Sequence, residues 1–518
     1  MPQPPPDPPT DLPPSPVGAG RDGLGRRSVR SGFARFAEQA TVLVLSVGST
    51  AVLARLLTPE DFGLVAMVGV LSGVVVSFKD FGLPMALVHR ESVRPEAADA
   101  LYWLTAGLSG GVCLAMAAGG SALALLFGEP RLVGLTAATA GALWILALGA
   151  PQEARLMREM RFGTLSRIGV GAAALGMAVG VVAAWRGLGP WALVVQLLAT
   201  NTALTAMHWI ASGWRPVWRP RTWRHSGLRA LAGYGGSYSG FSVVEHFGRR
   251  MDRVLVGVVG GTAALGLYDN AFRWSLFPLQ QVFTPLLGVA VSGLSRIRHD
   301  APVFRAYVRR SVLPVLAATL PALAFVTVTA EPVVRVLLGD QWLGAIPLLQ
   351  WMAAAAFLRC FSKVAQWLFL AEGRTRLQLR WGLLSTPLFV VAAVVGVQWG
   401  AVGAAAGFFA ATAALLGPEM AVALHGSTVR ARDLVRAAWR PVVGSVAAGV
   451  AVVLAGPWLP GGVFGTLTAS AALFGGVYAA LWVGLPGGVE ATRDVLSLVR
   501  TIRPVTPSPV TPSPVAPG

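Results

Sequence analysis

Charge is what this 518-residue chain has least of: 13% of its residues are Asp, Glu, Lys or Arg, against 54% hydrophobic. Soluble domains carry about 25% charged residues, so a chain this poor in charge cannot cover an aqueous surface. Cysteine is almost missing. The two present, Cys113 and Cys360, fall inside apolar runs, which excludes a disulfide framework or a paired-cysteine metal motif and leaves small buried side chains. Six histidines (His89, His208, His225, His246, His299 and His425) are scattered. HExxH, P-loop and GxSxG patterns are lacking. No catalytic residue, metal or cofactor is expected, and the chain does not read as an enzyme. Met1 to Gly32 is proline-rich and then basic, without the apolar stretch of a cleavable signal peptide.

What is present is a succession of apolar runs of membrane-crossing length. Fourteen spans are expected at 33–54, 63–87, 100–127, 133–151, 167–185, 190–212, 231–259, 264–292, 311–330, 344–370, 381–398, 401–424, 441–458 and 463–485. This predicts an all-α polytopic membrane protein. Residues 1–32 and 486–518, the latter with TPSPVTPSPV, read as disordered proline-rich tails.

Basic residues outnumber acidic ones 42 to 24, a net charge of +18 that would suit nucleic acid if it were gathered in one patch. It is distributed by side instead. With the N-terminus inside, 30 of the basic residues fall in inside segments, four (Arg55, Arg131, Arg186, Arg335) in outside loops and eight within spans. That alternation is the positive-inside rule over the whole chain, with both termini cytoplasmic in a bacterial plasma membrane. It excludes nucleic acid as the partner and names anionic membrane lipids. The loop from Trp214 to Arg229, WRPVWRPRTWRHSGLR, fits a basic interfacial linker.

The segment Leu231 to Ser295 is apolar enough for two spans yet contains Glu245, Arg249, Arg250, Asp252, Arg253, Asp269 and Arg273. Each ionisable group facing lipid would cost about 2.5–3.5 kcal/mol, so most should face a polar interior. Tyr234, Tyr238, Glu245, Arg249 and Asp252 recur at helical spacing, as do Asp269, Arg273 and Gln280. Arg359, Lys363 and Gln366 line one face of the tenth span, and Lys79–Asp80 sit beside Gly82 and Pro84 in the second. Within this set, Arg249, Arg253, Arg273, Arg359 and Lys363 are candidate anion ligands. Glu245, Asp252, Asp269, Lys79 and Asp80 are candidates for ion coupling or for internal pairing. The cations outnumber Glu245, Asp252 and Asp269, and a cationic surplus suits a phosphate or diphosphate.

The chain also repeats weakly. DFGLV at 61–65 resembles ALGLY at 264–268, LLFGE at 125–129 resembles LLGD at 337–340, and the segment from Gly189 resembles that from Gly400. The aligned glycines Gly63/Gly266, Gly128/Gly339 and Gly189/Gly400 are 203, 211 and 211 residues apart. A near-constant offset predicts two parallel six-helix lobes: an N-lobe at 33–212, a linker at 213–230 and a C-lobe at 231–424. The pair at 441–485 is an addition.

LARLLTPEDFGLVAMV (Leu53 to Val68), FKDFGLPMALVHR (Phe78 to Arg90), the segment Met251 to Ile297 and LLGDQWLGAIPLLQWMA (Leu337 to Ala353) resemble the oligosaccharide flippase family of bacterial polysaccharide export, over roughly residues 33–425. That family belongs to the MATE-like superfamily of multidrug, oligosaccharidyl-lipid and polysaccharide exporters. The resemblance implies two six-helix lobes in a V and alternating access. It also implies a polyprenyl-diphosphate-linked oligosaccharide as substrate, and polymerase or glycosyltransferase machinery as partners. A multidrug or cation antiporter of the MATE type and a lipid II flippase are the neighbouring alternatives. The first of these calls for acidic and aromatic groups rather than surplus arginine.

Overall fold

Thr58-Pro59-Glu60-Asp61 is a helix start written in sequence: a capping hydroxyl, a proline where a missing N–H does no harm, and two acids in the first turn. In the computed structural model, which describes residues 39, 41–78, 95–218, 250–281, 283, 301–486 and 488, this tetrapeptide ends α1 (Thr41–Leu56) and opens α2 (Pro59–Phe78). Asp61 Oδ2 accepts from the Thr58 N–H and hydroxyl, both at 2.9 Å, and the Asp61 N–H donates to Thr58 Oγ1 at 3.3 Å. The chain continues as α3 (Pro95–Phe127), α4 (Leu132–Arg158), α5 (Phe162–Trp185), α6 (Trp191–Ser212), α7 (Arg250–Gln281), α8 (Ala301–Val328) and the short α9 (Ala330–Leu337). It ends with α10 (Ile346–Ala371), α11 (Thr375–Gly396), α12 (Gly400–Leu424), α13 (Ala431–Ala455) and α14 (Val463–Gly484).

Ten helical stretches among the described residues are long and apolar enough to cross a membrane. Two of the ten turn back on themselves. In α7, Arg253 bonds Asp269 and Tyr268 bonds Asp252, each pair 16 residues apart. Sixteen residues of straight helix would span about 24 Å, so these contacts require a reversal. It falls at Gly261, whose φ of +77° favours a residue without Cβ. The stretch Thr375–Leu424 reverses at Gly400, φ +73°, where α11 meets α12. Large apolar side chains lie exposed around the helices, among them Leu125, Trp185, Ile210 and Trp458, each more than 70% accessible. Such a surface is intelligible against lipid and not against water.

The helices hold together by lipid-phase means. On α5, Ala172, Gly176, Gly180 and Ala184 form a small-residue stripe, and a Cβ on Gly176 would come within 1.8 Å of Thr200 Oγ1 on α6. From α6, Asn201, Thr205 and Trp209 donate to the carbonyls of Ala142, Ile145 and Leu148 on α4 at 2.9, 2.7 and 3.2 Å. Bonds of this kind contribute about 0.6 kcal/mol each, so close packing carries more of the association.

By contact density the described residues up to Leu276, with 329–355 and 380–415, form one compact unit; 277–328, 356–379 and those from Leu416 onward form a second. In the second unit α14 packs on α8 through Phe325 and Phe474, with ring centroids 5.5 Å apart, and Tyr478 Oη donates to the Ala317 carbonyl at 3.0 Å. In the first unit α2 crosses α7 at a reciprocal contact. A Cβ on Gly63 would fall 1.8 Å from the Thr262 carbonyl oxygen, and one on Gly266 would fall 1.8 Å from that of Pro59. Pro59 is four residues before Gly63, as Thr262 is before Gly266. The other aligned glycines agree in conformation: Gly128 and Gly339 have φ of +69° and +101°, Gly189 and Gly400 +54° and +73°. Beside the crossing, Arg55 Nη2 donates to Val336 O at 2.7 Å and Trp342 Nε1 to Ala54 O at 2.8 Å. Gln341 Nε2 donates to Ala54 O, and to Leu57 O at 2.9 Å. Gln341 and Trp342 thereby satisfy carbonyls at the C-terminal end of α1, while Arg55 satisfies one of α9. At the neighbouring turn, hydrogen bonds from Arg131 to Glu60 at 2.6 Å and to Glu129 at 3.2 Å hold its guanidinium pKa above the ordinary value. These groups are partly exposed and contribute little stability.

Several helices begin well before the apolar windows that announce them: α3 at 95 rather than 100, α8 at 301 rather than 311, α13 at 431 rather than 441. Hydropathy measures hydrocarbon thickness, while backbone hydrogen bonding continues into the adjoining basic segment. Lys79–Asp80 with Gly82 and Pro84, residues 1–32 and residues 489–518 lie outside the described residues.

The crossing should not tolerate a methyl group. Gly63→Ala or Gly266→Ala is expected to lower stability in detergent by about 1–3 kcal/mol or more, since the obstacle is backbone. Gly382→Ala, with open space around it, should be neutral or mildly stabilising. Equal melting temperatures for all three variants would contradict the contact.

Candidate functional site

The hairpin reversal at Gly261 brings the charges of α7 together. Arg253 Nε donates to Asp269 Oδ1 at 2.6 Å, and Arg273 Nη2 lies 3.7 Å from Asp269 Oδ2. The Arg253 guanidinium also lies over the Phe272 ring, 4.5 Å from its centroid. On the opposite arm Asp252 Oδ2 accepts from Tyr268 Oη at 3.0 Å, while its buried Oδ1 takes no hydrogen bond among the described residues. Arg250 reaches α2, where its Nη1 donates to the Gly69 carbonyl at 2.8 Å.

The two arginines that share Asp269 differ in exposure. The Arg253 side chain keeps 10% of its surface accessible and that of Arg273 keeps 59%. Arg253 is a packed ion pair with an aromatic lid. Arg273, one helical turn from Asp269 at a longer distance, is the more accessible of the two. Chemically the cluster offers a forked donor beside a carboxylate already engaged on its other oxygen.

In the second unit, α10 positions Arg359 and Lys363. Lys363 Nζ donates to Gln366 Oε1 at 3.1 Å, within the predicted Arg359–Lys363–Gln366 face. Between the two cations in sequence, Ser362 Oγ donates to Glu419 Oε2 of α12 at 2.5 Å. Thus Asp252, Arg253, Asp269 and Arg273 come together in the first unit, and Arg359 and Lys363 share a helix in the second. Arg249, Glu245, Lys79 and Asp80 lie outside the described residues.

Sequence reasoning missed Glu419, Arg250's attachment to α2 and the Gln341–Trp342 contact with α1. Glu419 carried a usable signal: it is an acid inside the apolar run 401–424, directly after Pro418. The other two are side chain to carbonyl bonds across more than 180 residues, which no local pattern announces. Among the described residues no three His, Cys, Asp or Glu groups gather as metal ligands.

Comparison with known proteins places the chain. Residues 52–347 match the family model described as polysaccharide biosynthesis protein. The chain is 24% identical over 383 residues to the lipopolysaccharide biosynthesis protein WzxC of Escherichia coli (strain K12), covering 72% of this chain and 77% of the relative. Among solved structures it resembles the lipid II flippase MurJ in an inward closed conformation, with a TM-score of 0.65 and 12% identity over 88% of this chain and 98% of the other. An inward-facing multidrug resistance MATE family transporter of the MOP superfamily matches with a TM-score of 0.55 and 14% identity, over 74% and 94%. At these identities the likeness is one of fold, and it makes this a multi-pass membrane protein of MurJ- and MATE-like architecture.

Asp269 is the keystone of the α7 cluster. Asp269→Ala leaves the buried Arg253 guanidinium unanswered and should destabilise the protein by about 3–5 kcal/mol. Replacing the pair together, Arg253→Met with Asp269→Leu, should recover most of that loss in thermal unfolding. A double variant no more stable than Asp269→Ala would contradict the pairing.

Proposed function

Because this chain belongs to the polysaccharide biosynthesis protein family, we propose that it is a flippase that moves a polyprenyl-diphosphate-linked oligosaccharide, or a related polysaccharide precursor, across the plasma membrane by alternating access. The observation that carries the substrate class is the sign of its intramembrane charge. The hairpin has Arg250, Arg253 and Arg273 against Asp252 and Asp269, and α10 adds Arg359 and Lys363. Cations in lipid are costly unless something answers them. Asp269 answers Arg253, and in this reading Arg273 and, on α10, Arg359 and Lys363 are ligands for the anion. Arg249 belongs to the same proposed set.

The chain crosses the membrane fourteen times in this reading: α1 to α6, the two arms of α7, α8, and α10 to α14. Two six-helix lobes, 33–212 and 231–424, are followed by an added pair, with both termini cytoplasmic. The reciprocal Gly63–Gly266 crossing and the matched left-handed glycines favour the repeat. By this topology Arg55, Val336, Gln341 and Trp342 lie at outside ends, so their contacts describe a face closed to the outside. Export then requires that face to open after the head group binds. Asp252, held by Tyr268 and with one oxygen unanswered among the described residues, is the hairpin acid suited to a coupling cation; Asp269 serves the ion pair. Glycosyltransferase and polymerase machinery are the expected partners.

Two measurements test this. In proteoliposomes with a fluorescent polyprenyl-diphosphate oligosaccharide, Arg273→Ala combined with Arg359→Ala and Lys363→Ala should reduce flipping at least tenfold. That corresponds to losing about 1.4 kcal/mol of binding. Normal transport by the triple variant would sink the substrate assignment. Asp340→Cys should be labelled by an impermeant thiol reagent from outside the cell, and labelling from the cytoplasm alone would invert the topology.

A further inference from the structure

Glu419 has no part in the cycle described above, yet it is the acid that the basic stretch of α10 meets. It keeps 9% of its surface and stands inside a membrane-crossing helix. Its Oε2 accepts from Ser362 at 2.5 Å. Residues three and four apart share a helix face, so Arg359 and Gln366 lie to the same side as Ser362, and Lys363, four after Arg359 and bonded to Gln366 at 3.1 Å, borders that face. Towards the C-termini of α10 and α12, Ala365, Phe369 and Ala423 are buried together, with Leu377, Met420 and Val422 packed on them. Beyond that apolar layer Arg374 donates to the carbonyls of Ala423 at 3.0 Å and His425 at 2.5 Å. The carboxyl group is therefore insulated from that end of the helices by a closed apolar layer.

We propose that Glu419 is a proton-binding site, and that its protonation is linked to anion binding at Arg359 and Lys363. The linkage rests on reading those two residues as diphosphate ligands; the proton site does not. The step is the addition of one proton to a carboxylate oxygen, giving a neutral acid. Ionised, Glu419 is a buried negative charge competing with a diphosphate for the same cations. Neutral, it leaves them to the incoming anion and removes a charge that is expensive at this depth. Ser362 suits both forms, because a hydroxyl donates to the carboxylate and can rotate to accept from the acid. The charged groups of α10 on either side of Ser362 in sequence are Arg359 and Lys363. Arg374 before α11 and His425 after α12 lie beyond the apolar layer. By reciprocity, an anion that binds more tightly to the protonated form raises the proton affinity of Glu419 by the same factor.

The test uses the full chain in phosphatidylethanolamine–phosphatidylglycerol vesicles. Infrared difference spectra between acid and alkaline pH should show the carbonyl stretch of a protonated buried acid, and Glu419→Gln should remove it. Ser362→Ala should retain the band and move its midpoint to higher pH, because the donor that favours the ionised form is gone. With inorganic pyrophosphate as the anion probe at one fixed neutral pH, Glu419→Gln should bind at least about fivefold more tightly than the native chain, the lower end of ordinary site-to-site coupling. A band that survives Glu419→Gln overturns the proton site. If that variant does not fold, an unmoved midpoint in Ser362→Ala overturns it instead. Loss of the band with unchanged pyrophosphate affinity overturns the linkage. A native chain that titrates but binds no pyrophosphate supports the proton site while contradicting the diphosphate reading.

Discussion

No water is available in the hydrocarbon core to satisfy a polar group, so each one must be answered by the protein. Much of the architecture follows from that constraint. Asn201, Thr205 and Trp209 spend their donors on carbonyls of α4. The open carbonyls at the end of α1 are met by Gln341 and Trp342. Arg253 is tolerable because Asp269 holds it at 2.6 Å and Phe272 covers it. The same constraint makes surplus informative. Arg273 is only loosely held at 3.7 Å by an acid that Arg253 already occupies. A cation placed that way suits an anion, in keeping with the proposed function.

Glycine does for the backbone what the ion pairs do for the side chains. Close helix approach replaces the hydrophobic drive that lipid removes, and it needs residues without Cβ. At Gly63 and Gly266 the approach is mutual and symmetric, each helix presenting its glycine to the carbonyl four residues before the other's. A crossing this tight is specific in geometry, and Arg250 adds a bond from α7 to the Gly69 carbonyl of α2.

The helices themselves were legible in the sequence, because apolar length and the siting of arginines are bilayer physics printed directly on the chain. Their starts were less so: α8 and α13 each begin ten residues before the apolar window, at 301 and 431, where basic residues replace apolar ones without interrupting backbone bonding. The three glycine pairs aligned for the repeat fall at one close helix crossing and at two pairs of left-handed turns, features that the offsets themselves do not specify. Partners were not legible. Helical spacing put Asp269 and Arg273 on one face, but that Arg253 would take the near oxygen of Asp269 depends on where the hairpin reverses. Arg250, counted among the cavity cations, is partly engaged by the carbonyl of Gly69. Glu419 was visible as a lone acid in an apolar run, and only the packing of α10 against α12 revealed its place beside the basic face.

The account stands on the claim that this membrane interior is built for an anion. Binding of undecaprenyl diphosphate to the purified protein in nanodiscs, measured by native mass spectrometry alongside a cationic drug-like amphiphile such as ethidium, tests it most directly. Saturable binding of the diphosphate lipid, diminished by Arg273→Ala, with no specific binding of the cation, is the predicted result. Saturable binding of the cation with none of the diphosphate lipid would contradict it.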